Sequence, residues 1–343
     1  MGYDTLQPSG LMSDFIRQCG GYAVVDGGLA TELEHHGADL NDPLWSGKCL
    51  IGSPHLIRKV HLDYLEAGAN VIISASYQAT LQGFEARGLS KEQGEALLRK
   101  SVEIAREARD IFRSSRMRKL PDNSSSSSFV QPILVAASVG SYGAFLADGS
   151  EYSGNYGDSI TLQTLKDFHR RRVQVLAKSG ADLIAFETIP NKLEAQAFAE
   201  LVEEENIKIP AWLSFSSRDG LNVANGDPIT ECAAVADTCK QVVAVGINCT
   251  APRFVHGLIQ SIRTVTAKPV VIYPNSGESY DAVSKKWVPT NEEEEEEDGD
   301  FVSYVAKWHE AGASLIGGCC RTTPKTIKAI SKALSSHHHT DDT

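Results

Sequence analysis

Eight short, almost uninterrupted apolar runs punctuate this chain, and helix-forming segments fill the intervals between them. The runs are Tyr22–Val25, Asn70–Ser74, Ile133–Val139, Asp182–Glu187, Pro210–Phe215, Val242–Asn248, Pro269–Tyr273 and Ser314–Gly318. A strand with both faces buried has no polar face to show, so such runs mark parallel strands covered by helices. The intervening segments predict helices over Pro54–Ala67, Glu92–Phe112, Thr161–Lys178, Lys192–Glu204, Ile229–Lys240, Phe254–Thr264, Phe301–Ala311 and Thr326–Leu334. Pro54 and Gly68 bracket the first of these, as start and stop residues do. A shorter helix, Ser13–Cys19, precedes the first strand. Eight strand–helix units in 343 residues predict an α/β protein, a single TIM (β/α)8 barrel with loop insertions. A doubly wound open sheet is the alternative, but no strand runs into a glycine-rich dinucleotide or phosphate loop.

One domain spanning 1–343 is therefore expected. Residues 114–131, with five serines in a row, and 290–300, with the run Glu292–Glu297, read as low-complexity loop insertions. Residues 335–343 read as a tail. Net charge is −11, and the glutamate run with Asp298 and Asp300 supplies eight of those charges, leaving −3 elsewhere. That balance offers no basic footprint for nucleic acid. No apolar stretch reaches membrane-spanning length, and the N-terminus lacks a signal pattern. Seven cysteines without small-scaffold spacing suit a reducing compartment. The expectation is a cytoplasmic protein with small-molecule partners, no nucleic-acid or membrane partner, and a monomeric state.

In such barrels the chemistry sits at the C-terminal ends of the strands. Those ends carry Asp26, Ser74 to Gln78, Ser138, Glu187, Ser214, Asn248 with Cys249, Tyr273 with Asn275, and Cys319 with Cys320. Adjacent cysteines bridge each other poorly, yet both can reach one soft metal ion. Cys249, at the end of another glycine-containing apolar run, supplies a third sulfur. Three thiolates at one end of two strands read as a zinc site with an open position. Cys19, Cys49, Cys232 and Cys239 read as packing residues. Glu187 directly follows Ile184-Ala185-Phe186, which argues against a solvated surface charge. Asp26 precedes two glycines and is equally good turn chemistry. Trp45, in the loop after the first strand, suits a site or a core. No histidine pair has metal-ligand spacing, and no nucleophile elbow is present.

With these residues assembled, the chain resembles the zinc-dependent homocysteine S-methyltransferase family, most closely its plant-type members that use S-methylmethionine. The resemblance covers nearly the whole chain. It is carried by Val25-Asp26-Gly27-Gly28-Leu29-Ala30-Thr31, Ala75-Ser76-Tyr77-Gln78-Ala79-Thr80, Phe186-Glu187-Thr188-Ile189-Pro190, Gly246-Ile247-Asn248-Cys249, Tyr273-Pro274-Asn275-Ser276-Gly277-Glu278 and Gly317-Gly318-Cys319-Cys320. It implies one Zn2+ per chain, bound by Cys249, Cys319 and Cys320, which activates the substrate thiol. It implies that Asp26 and Glu187 hold the substrate amino group and that Ser74, Ser76 and Tyr77 line the pocket. Trp45 and Asn248 complete the expected substrate-facing set. The implied reaction moves a methyl group from S-methylmethionine, more weakly from S-adenosylmethionine, to homocysteine, forming methionine. Selenocysteine as acceptor and betaine as donor stay open. Zinc hydrolysis fits less well, because three anionic thiolates make a poor Lewis acid. A non-catalytic zinc-stabilised barrel would want a fourth protein ligand, and none has matching context.

Overall fold

The computed structural model describes residues 8–118, 131–281, 286–288 and 301–338. Eight parallel strands form its centre: β1 Ala23–Val24, β2 Val71–Ile73, β3 Leu134–Gly140, β4 Leu183–Ile189, β5 Ala211–Phe215, β6 Val242–Asn248, β7 Val270–Tyr273 and β10 Ala313–Ile316. They lie in the order β1-β10-β7-β6-β5-β4-β3-β2. A parallel bridge between Val25 and Val71 closes the ring between β1 and β2. The protein is a TIM barrel, as the eight apolar runs predict.

Successive side chains of a strand point to opposite faces, and here they sort into two apolar layers. Val24, Ile72, Val135, Ile184, Leu213 and Ile272 pack with residues of the surrounding helices. Val25, Val71, Ala136, Ala185, Trp212 and Leu315 pack inside the ring. Met12, Phe15 and Ile16 of the helix Pro8–Gln18 join this inner layer and stop the N-terminal end of the barrel. Room for a ligand is thereby left at the C-terminal end. The strands approach closely enough that a Cβ on Gly246 of β6 would stand 1.6 Å from the Val271 carbonyl oxygen of β7.

Helix boundaries follow their caps. The helix Pro54–Ala67 ends at Gly68, whose φ of 110° gives the left-handed stop. Lys192–Glu204 begins after Asn191, whose side chain accepts from the Glu194 amide. Two expectations need correction. The helix Lys91–Arg118 runs through residues 114–118, where a serine-rich loop was expected; Ser115 Oγ donates back to the Phe112 carbonyl at 2.8 Å. The last helix, Pro324–His338, takes in residues 335–338 of the expected tail. The serine run at 124–128 and the tract 290–300 lie outside the described residues. Several short elements are additional to the sequence reading, the helix Leu81–Glu85 among them. A short antiparallel hairpin, β8 Ser279–Asp281 with β9 Lys286–Val288, follows β7. Two helical turns, Tyr142–Leu146 and Ser150–Ser153, follow β3. Among the described residues no helix is long and apolar enough to cross a membrane.

Candidate active site

A cavity of about 540 Å³ opens at the C-terminal strand ends, and all but one of the expected site residues line it. The three cysteines meet there. Cys249 leaves β6 with a φ of 48°, and Cys319 and Cys320 leave the end of β10. Their sulfurs all lie within 4.8 Å of one another. The Cys249–Cys320 separation is 3.7 Å and the Cys319–Cys320 separation 4.0 Å. The backbone of the pair is held from two neighbouring strands. The Gly318 amide donates to the Asp26 carbonyl at 3.0 Å and the Cys319 amide to the Pro274 carbonyl at 2.7 Å. A Cβ on Gly318 would stand 2.3 Å from Thr322 Oγ1, so the residue before the cysteines must be glycine. Hydrogen bonds from Cys319, Cys320 and Tyr152 hold the Cys249 thiol well below its ordinary range. The same bonds to Cys249 hold Cys319 and Cys320 well above theirs. The cluster by itself thus carries one negative charge readily and resists more.

Two carboxylates stand beside the sulfurs. Asp26 is 2 % exposed, and its Oδ2 accepts from the Ile73 amide at 2.8 Å. Burial, with a smaller push from Glu187, holds its pKa well above the usual carboxylate range. Glu187, 6 % exposed, accepts the Ser138 hydroxyl, and burial pushes it up to about 7. Buried acids close to each other favour a cationic ligand, which relieves both desolvation and repulsion. Ser74 lines the cavity and accepts from the Ser138 amide at 3.1 Å. Ser76 does not reach the cavity, contrary to expectation. Fully buried, it donates to the Ser138 carbonyl at 2.8 Å and sits 2.8 Å from Ser74 Oγ, bracing the wall from behind.

Trp45 begins a 3-10 turn, Trp45–Lys48, and its ring meets Tyr77 edge to face at 6.3 Å. Asn248 touches the cavity but spends its side chain on the framework. Its Oδ1 accepts from the Thr188 amide at 2.7 Å and from Ser214 Oγ at 3.0 Å, while Nδ2 donates to Thr188 Oγ1 at 2.7 Å. Tyr273 also lines the wall, with its hydroxyl 2.5 Å from Ser214 Oγ and accepting from Trp212 Nε1 at 3.1 Å. Six described non-glycine residues adopt positive φ, and five of them line the cavity: Trp45, Ala147, Thr188, Cys249 and Arg321. Backbone held in this sparsely populated region gathers where function fixes the geometry.

Sequence reasoning missed Glu151 and Tyr152, which the helical turn Ser150–Ser153 brings to the cavity wall. Glu151 Oε2 is buried without a hydrogen-bond partner, and burial pushes the carboxyl up to about 7. The available signal was an acid and an aromatic residue set between Gly149 and Gly154, downstream of a strand end.

The model of the homocysteine S-methyltransferase family matches residues 23–334. Homocysteine S-methyltransferase 3 of Arabidopsis thaliana is 68 % identical over 330 residues, covering 96 % of this chain and 94 % of its own length. The selenocysteine methyltransferase of Astragalus bisulcatus is 64 % identical over 330 residues, covering 96 % and 97 %. Among solved structures, the metallated form of the homocysteine methyltransferase MmuM from Escherichia coli gives a TM-score of 0.78 at 42 % identity, covering 95 % of this chain and 99 % of that one. This chain belongs to the homocysteine S-methyltransferase family and is an enzyme of that kind.

Proposed function

We propose that this enzyme transfers a methyl group from a methyl sulfonium to the thiol of L-homocysteine, forming methionine. S-methylmethionine is the foremost donor and S-adenosylmethionine, with its bulky adenosyl group, a weaker one. The observation that carries this reading is the meeting of three cysteine sulfurs within 4.8 Å, beside buried carboxylates in one cavity.

Zinc suits the donor set. In a tetrahedral site with Zn–S bonds of about 2.3 Å, sulfurs stand about 3.8 Å apart. The separations of 3.7 and 4.0 Å fall on either side of that value. Cys249, Cys319 and Cys320 would hold the ion, and among the described residues no fourth histidine, cysteine or carboxylate joins them. Bound zinc would take an incoming thiol as its fourth ligand in the deprotonated form, so the sulfur stays ionised near neutral pH. Asp26 and Glu187 receive the ammonium of the acceptor. Trp45 and Tyr77 turn an aromatic wall toward the cationic methyl group. A sulfonium leaves as a neutral thioether, so the transfer needs no general acid. Accordingly, no histidine lines the cavity among the described residues.

Selenocysteine as acceptor has specific support, because relatives 64 % and 67 % identical carry selenocysteine methyltransferase names. Betaine belongs in the test as well, since Tyr152 and Tyr273 add two aromatic residues to the wall. One chain supplies every residue invoked, so a monomer suffices for the chemistry. Seven free cysteines suit the reducing cytoplasm. The test is a side-by-side assay of zinc-loaded protein with each donor at equal concentration. The fastest methylation of homocysteine should come from S-methylmethionine. Faster turnover with betaine would overturn the donor, and failure to methylate any thiol or selenol would overturn the reaction.

A further inference from the structure

The reaction just described uses Asp26 and Glu187 and leaves three other carboxylates of the cavity lining without a role, Glu34, Asp42 and Glu151. Glu151 lies on a turn that is pinned from several sides. The Ser150 amide donates to Asp148 Oδ1 at 2.9 Å, and Asn191 Nδ2 donates to the Gly154 carbonyl at 3.0 Å. Ser216 Oγ reaches the Glu151 carbonyl at 3.5 Å. A Cβ on Gly143 would stand 2.4 Å from the Glu151 nitrogen, so the two short helices touch backbone to backbone. The chain that presents Glu151 is therefore fixed, yet its Oε2 is buried and accepts nothing. A buried carboxylate oxygen left unpaired is costly, so a ligand that donates to it gains correspondingly.

The other charges of the lining are answered or exposed. Asp42 pairs with Arg87, Asp26 accepts an amide, and Glu187 accepts a hydroxyl. Glu34 is exposed to solvent. Arg321, the single basic residue lining the cavity among the described residues, is held by Glu278 at 2.6 Å. The charge of Glu151 acts on Tyr77, Tyr152 and Cys249, and Glu187 acts on Tyr77 as well, so both carboxylates belong to one cavity. A sulfonium centre has no N–H or O–H and cannot satisfy an acceptor. An α-ammonium has three N–H donors.

We infer that Glu151 binds the ammonium of the methyl donor's amino-acid head, leaving Asp26 and Glu187 to that of the acceptor. This rests on the sulfonium reading of the donor. Both S-methylmethionine and S-adenosylmethionine carry such a head.

The experiment compares zinc-loaded wild type and Glu151→Gln with S-methylmethionine and with its deamino analogue, dimethyl(3-carboxypropyl)sulfonium. Wild type should prefer S-methylmethionine by about 10- to 100-fold in kcat/KM, chiefly through KM. In Glu151→Gln that preference should collapse toward unity, with homocysteine KM and zinc content as in wild type. Calorimetry without homocysteine should show S-methylmethionine binding weakened by a similar factor. An undiminished preference in the variant overturns the assignment, as does a rise in homocysteine KM in place of donor KM. Equal use of the two sulfoniums by wild type overturns it without any variant. If wild type takes betaine and no sulfonium, the donor reading fails and this inference with it. If wild type takes S-methylmethionine and the variant matches it, only the role of Glu151 fails.

Discussion

Glu187 illustrates how position alone changes what a common side chain does. With its carboxyl raised from 4.5 to about 7 by burial, the folded protein keeps a proton that the unfolded chain releases. Stability from this group is full below about pH 4.5 and falls as pH rises through about 7, by roughly 3 kcal/mol. The melting temperature of ligand-free wild type should therefore decline over that window more steeply than that of Glu187→Gln. Parallel curves would show that Glu187 does not carry the dependence. Binding an ammonium needs the charged form, so homocysteine affinity should rise with pH through the same region. Glu187→Gln should weaken homocysteine binding by roughly 1.5–3 kcal/mol and keep its zinc, measured by titration and metal analysis. Cys249→Ser, Cys319→Ser and Cys320→Ser should each lose most bound zinc and nearly all activity. Cys232→Ser and Cys239→Ser should lose neither. Stoichiometric zinc in Cys320→Ser would rule out that ligand. The cysteines were readable in the sequence because adjacency and a flanking glycine exclude most packing roles. Ser76 misled because alternation along a short loop does not say which residue faces inward. Asn248 was readable as a strand-end residue, but its framework bonds to Thr188 and Ser214 depend on contacts across 60 and 34 positions.

At the scale of elements, β6 and β7 meet without space for a side chain at Gly246. Gly246→Ala should cost at least about 3 kcal/mol, beyond an ordinary overpacked core, since the obstacle is backbone. Denaturant unfolding of purified protein measures it, and a loss under 1 kcal/mol would mean that the strands slide apart easily. The strands and the capped helices were legible because each satisfies its own local rule, be it a buried parallel run or a Pro and Gly at the ends. The misread elements obey no such rule. The end of Lys91–Arg118 is mostly polar and carries no buried residue past Phe112, where the apolar stripe finishes. The turn Ser150–Ser153 is too short for a periodic pattern. The hairpin β8–β9 pairs three residues with three, below the length at which alternation is read.

Across the whole molecule, the three cysteines proposed as metal ligands come from the ends of β6 and β10, which are separated by β7. An ion that binds only the folded form stabilises it by mass action, about 2.7 kcal/mol at a hundredfold excess over Kd. Chelation should thus lower the melting temperature by several degrees yet leave the far-ultraviolet circular dichroism unchanged, because the apolar layers of the barrel make no use of the ion. Loss of helical signal on chelation would mean that the ion is required for folding.

The closure between the first and last strands bears on the order in which the molecule is made. Gly28 donates to Thr322 across 294 positions, and the Arg321 amide to Thr31 across 290. Contacts so distant in sequence form late, since the whole intervening chain must first be gathered. During synthesis β1 therefore waits, with an open edge, until β10 and the turn after it have been added. The pocket comes into being with that closure, so the site and the ring are completed together. A chain released before Cys319 lacks two of its three sulfurs as well as the contacts that close the ring around them.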